Sequence, residues 1–390
     1  MRLFRRHLIS RMILSIRSRG IKTTAVRAFS KVKRKLLGKR YYEQIFYNDS
    51  IIHLAFYPTG GLGDYIISKS VLEEILEMAD CKVTVFCDKP AFAKAIYRDV
   101  ASEIKAYEVY DSEFYKYDLA LNVEHFIHVD SFKEKKLCVL SQELAKRISY
   151  ICDNWDKLYV DIDRQCWRER IQFERCRISR LDRWTELRMG KAFDIASKKV
   201  SIPMDKDAKS KWDKNLGNIR YITINYGADA MVPGKKQLKL WNKEYYEELI
   251  KLIHAADMNI EIVQLGGKDS EKIKGVDRYI FGESIEYAKY VLKGSLCHID
   301  CEGGLVHLAT QFGTKCIVIF GPTPKHMYAY EQNINLVNEE CNGCMGLHED
   351  WAYECYMGYK MAECINSIRA KRVLEELEKV IHENVKMLNK

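Results

Sequence analysis

The chain has 390 residues, 47% hydrophobic and 30% charged, which is more than one hydrophobic core usually accommodates, so two domains are expected. Its net charge of +9 belongs to residues 1–40, which hold 14 Lys or Arg and no Asp or Glu; the other 49 Lys and Arg face 54 Asp and Glu, so the folded body gives no reason to expect a nucleic-acid partner. No apolar run is long enough to span a bilayer, and thirteen cysteines without disulfide-like spacing fit free thiols in a reducing cytosol.

In the first forty residues Phe4, Leu8, Met12 and Ile16 recur at helical spacing among arginines, followed by Lys31-Val32-Lys33-Arg34-Lys35. A basic amphipathic helix of this kind lies on an anionic membrane surface. A solvated arm and an organelle transit peptide are the alternatives.

From Ile51 the pattern is regular. Ile51–Phe56 reads as a strand, Tyr57–Asp64 as a glycine-rich turn and Tyr65–Met78 as a helix; strands at 82–87, 104–109 and 117–123 follow, with a helix at 91–97. Residues 141–203 are rich in Arg and Trp, among them Trp155, Trp167, Arg170, Arg183 and Trp184. They read either as cationic forks for an acidic acceptor or as solvated arginines whose stems cover the tryptophans. Residues 202–217 suit a linker or frayed helix, and a second α/β series then begins: strand 221–225, loop 226–236, helix 242–256, strand 260–265 and helix 287–292. Alternating strands and helices predict parallel, doubly wound sheets.

The stretch Cys297–Thr310 contains a strand, the turn Glu302-Gly303-Gly304 and a helix bearing Leu305, Leu308 and Ala309; Cys316–Phe320 is the next strand. Two glycines admit close backbone approach and a helix start attracts negative charge, so a diphosphate fits there. Asn225 and Gly227, at the end of a strand, are placed for further phosphate contacts, and Glu271, beyond Gly266-Gly267-Lys268-Asp269, for a ribose. Cys341-x2-Cys344-x10-Cys355-x8-Cys364 reads as a four-thiolate zinc or iron site or as a packed reduced cluster.

Four blocks in order, Gly60-Gly61-Leu62-Gly63-Asp64, Lys239-Leu240-Trp241, Glu302-Gly303-Gly304-Leu305-Val306-His307-Leu308-Ala309 and Phe320-Gly321-Pro322-Thr323, resemble glycosyltransferase family 9, the ADP-heptose:lipopolysaccharide heptosyltransferases, from about Ile51 to Lys379. The resemblance implies a GT-B fold of two Rossmann-like domains facing across a cleft. The corresponding expectation is a basic extension over 1–48, an acceptor domain over 49–205, a donor domain over 206–366, and a terminal helix over 367–390 that packs back on the first domain or simply closes the second. It also implies an inverting transferase that requires no cofactor, with Asp64 as the base beside Gly61 and Gly63 on the acceptor side. The diphosphate then meets the Lys239 cation, the N–H groups of Gly304 and Leu305, and His307.

A nucleotide-diphosphate sugar, ADP-heptose first, is the implied donor, and a bacterial lipopolysaccharide or other surface glycan, lipid-linked or free, the implied acceptor. The implied location is cytoplasmic, peripheral on the inner face of the membrane. Glu302 stands where heptosyltransferases more often carry Asp, which leaves a UDP- or GDP-type donor, or epimerase chemistry, as alternatives. A silent sugar-nucleotide-binding scaffold is the third reading, and Asp64 with Lys239 argues against it.

Overall fold

Ile52–Pro58 is buried along its whole length, as befits a central strand covered on both faces. It is β1 of a five-stranded sheet with β2 (Cys81–Cys87), β3 (Glu103–Ala106), β4 (Leu119–Val123) and β5 (Ile127–Phe132). The order is β3-β2-β1-β4-β5, parallel except for β5, which runs antiparallel to β4. A second sheet holds β6 (Tyr221–Asn225), β7 (Glu261–Gly266), β8 (Arg278–Phe281), β9 (His298–Cys301), β10 (Cys316–Ile319) and β11 (Ile334–Leu336). All its pairings are parallel, in the order β11-β10-β9-β6-β7-β8, which is the strand order of a Rossmann sheet.

The helices are α1 (Leu62–Met78), α2 (Pro90–Tyr97), α3 (Glu134–Leu140), α4 (Gln142–Leu158), α5 (Arg168–Ser179), α6 (Lys206–Asn215), α7 (Lys243–Ala255), α8 (Ile285–Lys293), α9 (Gly304–Gln311) and α10 (Ala370–Leu388), apart from one-turn pieces. This computed structural model describes residues 50–388 except 159–167, 189–191, 194, 196, 228–236 and 349. The basic helix expected in residues 1–40, and most of the expected loop 226–236, lie outside the described residues.

Several elements depart from the sequence pattern. β5, β8 and β11 were not expected; they are six, four and three residues long, and none has a fully buried face. The expected strand 104–109 stops at Ala106, where a 3-10 turn over Tyr107–Val109 begins. The polar stretch 202–217 contains α6, because the Asp205 carboxylate accepts a hydrogen bond from the Ala208 N–H at 2.9 Å and caps the helix start. Through its described side chains the terminal helix α10 packs on the second domain. Its Val373, Leu377, Val380 and Ile381 enter one core with Tyr246, Leu249, Ile250 and Ile253 of α7, so it closes the second domain.

Two buried lysines tie the domains behind the cleft. Lys69 on α1 donates to Ile96 O, to both Asp99 carboxylate oxygens and to Ser201 O. Lys289 on α8 donates to Ala95 O at 2.6 Å, to Pro203 O at 2.7 Å and to Glu286. The linker at 201–203 is thereby gripped from both sides. Burial lowers the Lys289 pKa, and the Glu286 carboxylate beside it only partly offsets that. Replacing Lys289 with Met leaves the buried Ala95 carbonyl, the part-buried Pro203 carbonyl and the Glu286 carboxylate without this donor, so K289M should cost about 2–4 kcal/mol. Chemical denaturation with an unchanged midpoint would refute this role.

Candidate functional site at the two switch points

In an open α/β sheet the ligand crevice forms at the carboxyl ends of the strands where the winding reverses. In the first sheet that point lies between β1 and β4. β1 runs into Thr59-Gly60-Gly61; Gly60 has φ +105°, a left-handed conformation that glycine adopts without strain, and Gly61 caps α1. The helix starts at Leu62, three residues before the expected Tyr65, so Asp64 lies inside the first turn. Its Oδ2 accepts a hydrogen bond from the Gly61 N–H at 2.8 Å.

Asp64 Oδ1 accepts from Arg183 Nη2 at 2.7 Å and Nε at 3.3 Å. Arg183 is buried, and its Nη1 donates to Glu186 Oε1 at 2.7 Å. That same oxygen lies 2.8 Å from Nδ1 of His125, which follows β4, and Gln172 donates to Glu186 Oε2 at 3.3 Å. Burial alone would raise the Asp64 pKa, but Arg183, His125 and the Gly61 N–H more than offset it and hold the carboxyl below its usual range. For His125, burial and Arg183 oppose the charge, yet Glu186 and Asp64 outweigh them and the imidazole pKa rises. Arg183 is thus neither of the two things expected of the Arg-rich segment: it is an internal clamp on the Asp64 carboxylate.

The second switch point lies between β6 and β9. Asn225 Nδ2, at the end of β6, donates to Asp300 Oδ2 and to Gly227 O, both at 3.1 Å. Trp241 is buried and anchors its segment through two bonds: its N–H to Cys301 Sγ at 3.1 Å and its indole N–H to Ile368 O at 2.7 Å. That anchor sets Lys239, two residues earlier, where its charge acts on Glu302. Glu302 is buried; desolvation would raise its pKa, but His307 and Lys239 outweigh it and the carboxyl sits below its ordinary value. Beyond Gly303, the first helical bonds of α9 are donated by Val306 and His307 to Gly303 O, leaving the N–H groups of Gly304 and Leu305 ahead of them.

The two turns touch. A Cβ on Gly63 would stand 2.4 Å from His307 Cδ2, and one on Gly304 would stand 2.8 Å from Leu62 Cβ and 3.4 Å from Gly63 N. Asp64, Glu302, Lys239 and His307, with the backbones of Gly61, Gly63, Gly303, Gly304 and Leu305, are therefore brought to one place. Glu271 is not among them; it is exposed and paired with Lys243 at the start of α7.

Sequence reading missed Glu186 and His125 altogether, and missed the individual part of Arg183. Arg183 is 119 residues from Asp64, and no spacing rule connects them. The four cysteines act on one another's charge: Cys344 is raised by burial and by Cys355 and Cys341, and Cys364 is pushed up to about 12 by burial and the other three thiols. Among the described residues, however, no group of three or more His, Cys, Asp or Glu stands where it could hold a metal ion. No helix among them is long and apolar enough to cross a membrane.

Residues 168–356 match the family model of glycosyltransferase family 9 (heptosyltransferase). Among solved structures the chain is similar to the bacterial iron-containing dodecameric glycosyltransferase TibC from enterotoxigenic E. coli H10407, with 12% identity, a TM-score of 0.57 and coverage of 86% of this chain and 80% of that one. It is also similar to TibC in complex with ADP-D-beta-D-heptose (11%, 0.56, 86% and 77%) and to E. coli ADP-heptose lps heptosyltransferase II (12%, 0.52, 85% and 99%). No curated protein matches it by sequence. At these identities the structural likeness establishes the fold, the expected GT-B pair of Rossmann-like domains.

Because the folded pKa of His125 is raised, its pairing contributes stability that is fully present below the unfolded value near 6.5 and is lost as pH rises through the folded value. The stability advantage of the wild type over His125→Gln should therefore be largest near pH 6 and shrink toward pH 9. A difference that is flat across that range in denaturant titrations would contradict the pairing with Glu186.

Proposed function

We propose that the chain, whose residues 168–356 match the model of glycosyltransferase family 9, is a member of that family and transfers heptose from ADP-heptose, with inversion, to a hydroxyl of a bacterial surface glycan such as lipopolysaccharide. In this reading the acceptor oxygen attacks the anomeric carbon, its proton passes to Asp64, and the bond from that carbon to the β-phosphate oxygen breaks. ADP leaves with the bonding electrons. Asp64 has to be ionised and aimed, and the bonds from Arg183 and Gly61 supply both conditions. They leave the 26% exposed carboxylate with free lone pairs for the acceptor proton.

The departing diphosphate gathers negative charge, which favours the Lys239 ammonium, the N–H groups of Gly304 and Leu305 at a helix start, and the His307 ring as its partners. Glu302 suits the sugar hydroxyls as an acceptor. The observation that carries the proposal is the contact of the two glycine turns, which sets the Asp64 side of one domain directly against the Glu302 and His307 side of the other. Two structurally similar proteins support the donor: one is a complex with ADP-D-beta-D-heptose and one is an ADP-heptose heptosyltransferase. The acid-free residues 1–40 support a peripheral position on an anionic membrane.

We further read Cys341, Cys344, Cys355 and Cys364 as the ligands of a structural zinc or iron ion. Four soft sulfurs are the right donors, and the structurally similar TibC is iron-containing. Binding would have to draw the thiols together and deprotonate them against the burial that now raises Cys364. The ion would cross-link the 341–364 loop and takes no part in transfer.

Asp64→Asn should lower transfer about 10²–10⁴-fold while leaving donor binding intact. Undiminished turnover would remove Asp64 from the base role. In a thermal-shift panel ADP should raise the melting temperature and UDP, GDP and CDP should not; a preference for another nucleotide would overturn the donor assignment. For the cysteines, protein purified without added metal should carry about one equivalent of zinc or iron, lost in Cys344→Ser, and substoichiometric amounts of both would sink the metal reading.

A further inference from the structure

The residue after the Arg183 clamp faces the other way. Trp184 is buried, and its indole N–H donates to the Tyr330 hydroxyl at 2.8 Å. That hydroxyl lies 2.6 Å from His307 Nδ1, and the ring's other nitrogen, Nε2, stands 3.6 Å from Glu302 Oε1. Trp184, Tyr330 and His307 are all at least nine-tenths buried. The backbone that aims the indole is itself held, since Asp182 Oδ1 accepts from the N–H groups of Trp184 and Thr185 at 3.1 and 3.0 Å and the Arg183 N–H donates to Met327 O.

The direction of the proton follows from the donor inventory. An indole N–H only donates, so the Tyr330 oxygen is an acceptor toward Trp184. Burial keeps the Tyr330 hydroxyl protonated, so one O–H remains to be placed. Among the described residues the hydroxyl has only Trp184 and His307 as hydrogen-bond partners. If His307 donated from Nδ1, that O–H would be buried without an acceptor, which is the costlier arrangement. The O–H therefore points at Nδ1, and the neutral ring carries its proton on Nε2.

We propose that Trp184 and Tyr330 are positioning residues that hold His307 in the Nε2–H form, with that proton facing Glu302 and the meeting point of the two glycine turns. The 2.6 Å bond on Nδ1 is short and the 3.6 Å separation on Nε2 is too long for a direct hydrogen bond, so the Nε2 proton is the one free to turn to a ligand oxygen. The use of that proton on the leaving diphosphate rests on the reading given under Proposed function; the tautomer does not. It also explains why Trp184 stands beside Arg183: one dipeptide clamps Asp64 through a guanidinium and sets the histidine of the other turn through an indole.

The test is nitrogen NMR of the full chain labelled with ¹⁵N-histidine, with His307→Gln used to assign the ring. At a pH where the ring is neutral, wild type should show Nδ1 as the unprotonated and Nε2 as the protonated nitrogen. Tyr330→Phe removes the hydroxyl and should shift the tautomer ratio toward Nδ1–H by about fivefold or more, the weight of one hydrogen bond. Trp184→Phe frees the hydroxyl to rotate and should shift it in the same direction. A wild-type ring protonated on Nδ1, or a ratio unchanged in Tyr330→Phe, overturns the proposal, and a ratio unchanged in Trp184→Phe removes the tryptophan from it. Titrating wild type with ADP separates the two readings. A displaced Nε2 resonance supports the diphosphate placement; an undisturbed one, with Nε2–H retained, refutes that placement while the tautomer assignment stands.

Discussion

The site depends on two missing methyl groups. Gly63 and Gly304 let α1 and α9 meet at their N-termini, with no room for a Cβ on either side. Helix N-termini carry partial positive charge, so bringing two together is unfavourable unless anions sit between them. Asp64 and Glu302 are those anions. Each is held below its usual pKa, the first chiefly against burial by Arg183 and the second by His307 and Lys239. The same converging fields suit the diphosphate of the proposed donor, whose binding adds negative charge where four backbone and side-chain donors already face it.

Around this contact the chain is braced at front and rear. At the front, Arg183-Trp184 spans the crevice: its guanidinium is on Asp64, its backbone N–H on Met327, its indole on Tyr330. At the rear, Lys69 and Lys289 grip the backbone of the 201–203 linker from α1 and α8. Buried cations of this sort stabilise a structure only when every donor is satisfied: Lys69 and Lys289 each meet a carboxylate and carbonyls, and Arg183 meets the Asp64 and Glu186 carboxylates, all at hydrogen-bonding distance. The relation of the two domains therefore rests on a few charged side chains as well as on the apolar core that runs from Ile66 and Val71 on α1 to Val306 and Leu308 on α9.

Differences between sequence pattern and structure have local causes. β1 and β6 were legible because central strands of a parallel sheet are mostly apolar and buried on both faces, whereas β11 is too short, and β8 too short and too exposed, to leave a pattern. The start of α1 was displaced because Gly-Leu-Gly-Asp reads as a turn, while the Asp64 side chain returns to the Gly61 N–H and brings those residues into the helix. The face on which α10 packs was left open by its periodicity, since an apolar stripe states that a helix is half-buried and not against what.

The sequence by itself determined two doubly wound units and the glycine turns at their switch points, because strand, turn and helix start are adjacent in the chain and their residue types act locally. Lys239 and Trp241 stood out only through the family resemblance of their block. Only the tertiary structure decided which partners those turns would have. Asp64 meets Arg183 across 119 residues, Trp184 meets Tyr330 across 146, and Glu271, which the sequence assigns to a ribose, is exposed and paired with Lys243. Such pairings are set by how two domains close on each other, and that closure depends on shape, here the bare Cα atoms of Gly63 and Gly304, which a one-dimensional pattern does not record.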